Sequence, residues 1–100
     1  MTPHPATIHL ALLTVEIFIP HSGSLKSKRK VTSSLKRRIR NECNASVAEL
    51  GLLEEWQRSL LGVAVLGNDR RLVDEQMNLV RGLFDEESEI EIVAARLEWC

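Results

Sequence analysis

The sequence predicts an α+β domain whose elements follow the order β-α-β-β-α-β. Three observations carry that prediction. Residues 7–19 and 59–67 are long apolar runs of strand character. Residues 25–42, and the stretch from Asn68 to about Phe84, repeat apolar side chains at helical spacing. Short polar or glycine-containing breaks separate the elements. The chain has 100 residues, of which 44% are hydrophobic and 27% charged, so one domain with one core is expected over residues 1–100.

Taken in order, the first run (TIHLALLTVEIFI) is rich in leucine and β-branched residues and stops at Pro20. Its odd positions Leu13, Val15, Ile17 and Ile19 are all apolar, whereas Thr14 and Glu16 are polar. A strand buried fully on one face and partly on the other follows. Residues 1–7, with two prolines, read as a loose tail. His21 to Ser24 form a turn, and Ser24 is placed to cap a helix over 25–42, in which Val31, Leu35 and Ile39 recur every four residues. A short strand is expected at 45–50, a connection at 51–58, and a central strand at 59–67. Asn68 and Asp69 cap the second helix, with Val73, Met77, Val80 and Phe84 on one face and Leu72, Leu79 and Leu83 beside it. An alternating strand over 89–99 closes the series. Right-handed crossovers place both helices on one face of a four-stranded antiparallel sheet, with the first and third strands central.

Net charge is −1, but the charges are segregated. Residues 1–43 carry eight Lys/Arg and two acids, and residues 44–100 carry five Lys/Arg and twelve acids. One face is therefore expected to meet an anionic partner. At 100° per residue, Lys26, Arg29, Lys30, Lys36, Arg37 and Arg40 fall within an arc of about 120° opposite the Val31-Leu35-Ile39 stripe. Lys28, with Lys26 and Arg29, stands close to the helix start at Gly23-Ser24-Leu25, where free N–H groups favour an anion.

Several function classes find no support. No apolar run is long enough to span a bilayer, and the first residues have no signal-peptide pattern, so the cytoplasm is the expected compartment. Cys43 and Cys100 make neither a disulfide framework nor a zinc site. His4, His9 and His21 lack metal-ligand spacing, and Gly23 begins no Walker loop. No serine or cysteine has an evident base, so the chain is expected to be no enzyme and to need no cofactor or metal.

The stretch SLKSKRKVTSSLKRRIRNECNASVAEL, followed by EEWQRSLLGVAVLGND, closely resembles the YlxP-like family of small bacterial proteins, domain of unknown function 503. The likeness covers about residues 8–98 and rests on the combination SLKxKR, RxRN, NxSVAE, WQR and LGVAV. It implies a ferredoxin-like fold, in agreement with the element order. It also implies work near RNA or the ribosome, because genes of the family often lie near those for translation initiation factor two and ribosome-binding factor A. Cys43 and the Gly51-Leu52-Leu53 loop depart from the family's usual residues and bear on packing.

The leading expectation is a non-enzymatic RNA- or ribosome-associated protein. Arg29, Lys30, Lys36, Arg37 and Arg40 would contact phosphates, with Lys26 and Lys28 at the helix start. The bland counterpart is a solvated basic helix face. A second expectation is a module docking an acidic protein, with Trp56 as anchor and Arg58 beside it. Its counterpart has Trp56 closing one end of the core and Arg58 paired with Glu54 or Glu98. A third is an anion- or small-ligand-binding homodimer formed through the open sheet face, whose outward residues would be Thr14, Glu16, Leu60, Gly62, Ala64 and Leu66. That face has no aromatic on its third strand, which argues against base stacking there.

Overall fold

Alternation along the first strand sets the two sides of the sheet, and the structure, a computed structural model, follows it. It describes residue 4 and residues 6–100. Part of the tail expected over 1–7, namely residues 1–3 and 5, lies outside the described residues. The elements are β1 (His9–Phe18), α1 (Leu25–Glu42), β2 (Ser46–Gly51), β3 (Arg58–Gly67), α2 (Arg70–Glu86) and β4 (Glu91–Trp99). The strands pair antiparallel in the order β2-β3-β1-β4. This is the ferredoxin-like α+β arrangement, with β1 and β3 central as their continuous apolar character requires.

Ala11, Leu13, Val15 and Ile17 of β1, with Ile19 just beyond it, and Leu61, Val63 and Val65 of β3 point under the helices and are buried. Val31, Leu35 and Ile39 of α1 and Val73, Met77, Val80, Leu83 and Phe84 of α2 complete the core. Each such side chain, fully buried, contributes about 1.5–3 kcal/mol. Both helices begin where a side chain accepts an otherwise free N–H. Ser24 Oγ accepts from Ser27 at 3.0 Å, and Asp69 Oδ1 accepts from Arg71 at 2.9 Å. Leu72 and Leu79, on the flanks of the α2 stripe, remain exposed.

The last strand departs from the expected alternation. Residues 91–96 are exposed on both faces. The cause is the placement of α2, which packs over β1 and β3 and stops short of β4. A cleft lined by Leu13, Val15, Arg81, Phe84, Ile92 and Ala95 is left between them. A bulge adds to the irregularity: Ile17 pairs with Ile92 and Glu16 with Ala94, so Val93 has no opposite number. The strand is anchored at its ends instead, by buried Ile90 and by Trp99, whose ring lies 4.0 Å under the Arg70 guanidinium.

Cys43 closes α1, its N–H bonded to Ile39 O at 3.0 Å, and its side chain is buried, whereas Cys100 is exposed. Burial, reinforced by the charge of Glu42, pushes the Cys43 thiol up. The folded protein is therefore expected to yield one rapidly reacting thiol, Cys100, to an aromatic disulfide reagent, and a second only in denaturant. Equal rates for both thiols under native conditions would contradict this packing.

Candidate functional site

The outward side of α1 gathers six Lys and Arg side chains and no acid. Lys26, Arg29, Lys30, Ser33 and Arg37 line one shallow, open depression, because positions three, four, seven and eleven residues apart stack along one side of a helix. Lys36 and Arg40 continue the face on the flank above β2, where Arg40 Nη2 donates to Val47 O at 3.3 Å. Arg38 lies on the other flank. It donates to Glu86 at 2.9 Å and to Glu42 at 3.3 Å, tying α1 to α2, and the Glu86 bond foremost raises its pKa above the ordinary arginine value. Among the described residues, no ion pair reaches Lys26, Arg29, Lys30, Lys36, Arg37 or Arg40. The acids of the second half thus neutralise one arginine of the helix and leave the outer face free.

Lys28 does not belong to that face, and its expected place at an anion site is corrected. It is 1% exposed and sits among the core residues. Its Nζ donates to Leu52 O at 2.9 Å and Arg58 O at 3.1 Å, and lies 3.4 Å from Leu53 O and 3.2 Å from Glu49 Oε2. Ser59 Oγ donates to the same Glu49 oxygen. The reason is phase: Lys28 is seven residues before Leu35 and so points the same way. Its absence from the 120° arc was the available signal. The ammonium clamps the chain between β2 and β3, where Leu52 adopts φ +60°. That φ is uncommon for a bulky side chain and persists where the surroundings over-determine it.

The helix start is correspondingly less open to an anion. Ser24 Oγ already takes the Ser27 N–H, Ser22 Oγ donates to Ser24 O, and Lys28 turns inward, leaving Lys26 as the near cation. A side chain at Gly23 would meet no neighbour, so nothing there requires glycine for close approach.

Trp56 lies on the clamped loop and is 56% exposed, so it does not close the core. The loop is further fixed by Ile19 N–H to Gln57 O at 2.7 Å and by Gln57 Nε2 to Pro20 O at 3.2 Å. Arg58 pairs with neither Glu54 nor Glu98. Its Nη2 meets Glu16 Oε2 at 2.6 Å, because the sheet register sets Arg58 opposite Phe18, diagonal to Glu16 on the same face, and this bond raises the Arg58 pKa.

The open face of the sheet carries Leu10, Leu12, Phe18, Leu60, Ala64 and Leu66 around Thr14, Glu16 and Gly62. Leu50 folds over Gly62, where any side chain would displace it. Among the described residues, no three His, Cys, Asp or Glu side chains gather as metal ligands, and no helix is long and apolar enough to cross a membrane.

Fold and surface together define a small ferredoxin-like α+β domain with an unpaired cationic helix face. The chain belongs to the DUF503 family, described as protein of unknown function, whose model matches residues 10–97. It is similar to the Uncharacterized protein YlxP of Bacillus subtilis (strain 168), with 34% identity over 84 residues, which cover 84% of this chain and 91% of that protein.

Proposed function

We propose that this is a non-enzymatic cytoplasmic protein that contacts RNA phosphates, on its own or within a ribosomal particle, through the outer face of α1. The observation that carries the reading is the outward row Lys26, Arg29, Lys30, Lys36, Arg37 and Arg40, none of which has an acidic partner among the described residues. Unpaired cations on one face gain from releasing the counterions condensed on a polyanion, and they need no particular base sequence. If Lys26, Arg29, Lys30, Lys36 and Arg37 each take one phosphate of a single strand, affinity should fall about a hundredfold between 50 and 200 mM salt. Fluorescence anisotropy of labelled RNA across a salt series measures this. Binding that ignores salt, or no binding at 50 mM, contradicts the reading.

A second reading is docking of an acidic protein, supported by Trp56, an exposed aromatic on a loop fixed by Lys28. Trp56→Ala would then abolish capture of one stoichiometric protein partner while leaving RNA affinity unchanged.

A further inference from the structure

The open sheet face is largely apolar, and none of the described residues covers it. We propose that a second copy of this protein covers it, about a two-fold axis that crosses the strands between two rows of side chains. The inference is independent of the phosphate-contacting reading.

Register identifies the rows. Ser46, Ala64, Leu12 and Glu98 stand side by side across the four strands, and Ala48, Gly62, Thr14 and Arg96 form the next row. Both rows lie on the open face, since the residues between them on the three strands away from the β4 edge, Val47, Val63 and Leu13, are buried under the helices. An axis between the rows, lying in the plane of contact, places each strand over its own copy, running the opposite way. Each row then meets the other row of the second copy.

Three features fit that operation. Charge is the first. Arg96 of one copy meets Glu98 of the other, and the reverse, so the pair that Arg96 and Glu98 now make at 2.7 Å within one exposed strand becomes two pairs across the axis. Glu16 and Arg58 are already paired with each other, and the one open-face charge without an ion pair among the described residues, Glu91 opposite Phe18, stands at the far corner of the face, away from the axis. Shape is the second. Leu50 stands proud over Gly62, and a hollow lined by Leu10, Asn44, Ala45, Ser46, Ala64 and Leu66 lies further toward the other end of the same strands. The axis falls between knob and hollow, so each Leu50 is carried to the hollow of the second copy. Both groups are solvent-facing in the single chain, with Leu50 55% and Leu66 59% exposed.

Area is the third. The strands have ten, six, ten and nine residues. At strand spacings of about 4.8 Å and a same-face repeat of about 6.7 Å, one face has a footprint of about 550 Å². Two faces give about 1,100 Å² before side-chain relief is added, which clears the roughly 1,000 Å² that a specific interface needs. RNA is a poor occupant for the same face, since its cations Arg58 and Arg96 are paired with Glu16 and Glu98, Glu91 adds a negative charge, and Phe18 is its one aromatic among the described residues.

Sedimentation velocity on the purified protein from about 1 to 200 μM tests the proposal. Wild type should shift from monomer to dimer within that range. Leu66→Glu buries a charge in the hollow and should weaken association at least tenfold, while its exposure in the monomer leaves the fold intact by circular dichroism. Arg96→Glu should also weaken it, by setting the new carboxylate against Glu98 of the second copy, and Arg96→Glu combined with Glu98→Arg should restore it. A wild type that stays monomeric at 200 μM overturns the proposal. So does a dimer indifferent to Leu66→Glu, which would place the contact on the β4 edge or a helix.

Discussion

Replacing Lys28 by methionine is expected to remove about 3 kcal/mol of folding stability, within the 3–5 kcal/mol range for breaking one partner out of a buried ion pair. The substitution keeps length and apolar stem and deletes only the ammonium. Three carbonyls, Leu52, Leu53 and Arg58, and the Glu49 carboxylate then lose their shared donor. Glu49 retains 17% exposure and can recruit water, which holds the loss to the lower end. Domains of this size have a total stability of about 5–15 kcal/mol, so the change is a large fraction of it. Arginine should not rescue, because a planar guanidinium cannot place one nitrogen among four acceptors arranged around a point charge. Urea denaturation followed by far-ultraviolet dichroism measures the difference, and a loss below about 1 kcal/mol would contradict the clamp.

The second large effect concerns the opposite side of the same helix. Changing Lys26, Lys30 and Arg37 together to glutamate is expected to carry RNA affinity beyond detection. Non-specific electrostatic binding lies at about 10⁻⁴–10⁻⁶ M, and losing three phosphate contacts while adding three repulsions costs on the order of a hundredfold to a thousandfold. Stability should hardly change, because these side chains form no ion pair among the described residues and a carboxylate in place of Lys26 would stand favourably in the first helical turn. The two variants therefore separate cleanly: Lys28→Met unfolds at lower urea, and the triple variant stays folded without binding. An unaltered RNA affinity in the folded triple variant would remove α1 from the interaction.

How much of this could be read beforehand depends on the range of each interaction. The element order, the Ser24 and Asp69 caps, the buried stripes and the outward set of the sheet follow from local periodicity and side-chain type, and all were legible. Lys28 was half legible: its phase placed it with Leu35, but a lysine in a core position makes sense only with its acceptors, and these come from residues 49–58. Arg58 illustrates the same limit, since Glu16 is forty-two residues away in the chain and becomes its neighbour through strand register alone. The exposure of β4 depends on where α2 comes to rest across the sheet, which no window of sequence contains. The freedom of the basic face from acidic cover was likewise a question of tertiary placement: among the described residues, Arg38 on the flank and the inward Lys28 are the α1 cations that found acids.

That resting place of α2 has a consequence for motion. Between its anchors at Ile90 and Trp99, β4 is held by its ladder to β1 and by little apolar cover, with Ile92 42% and Val93 56% exposed. Its middle amides should exchange with deuterated water through local opening, well before those that join β1 to β3. While the strand is away, β1 presents an unpaired edge flanked by apolar side chains on both faces, a template to which another extended chain can add. Slow aggregation on warming is thus expected to begin at that edge, below the temperature at which the helices melt.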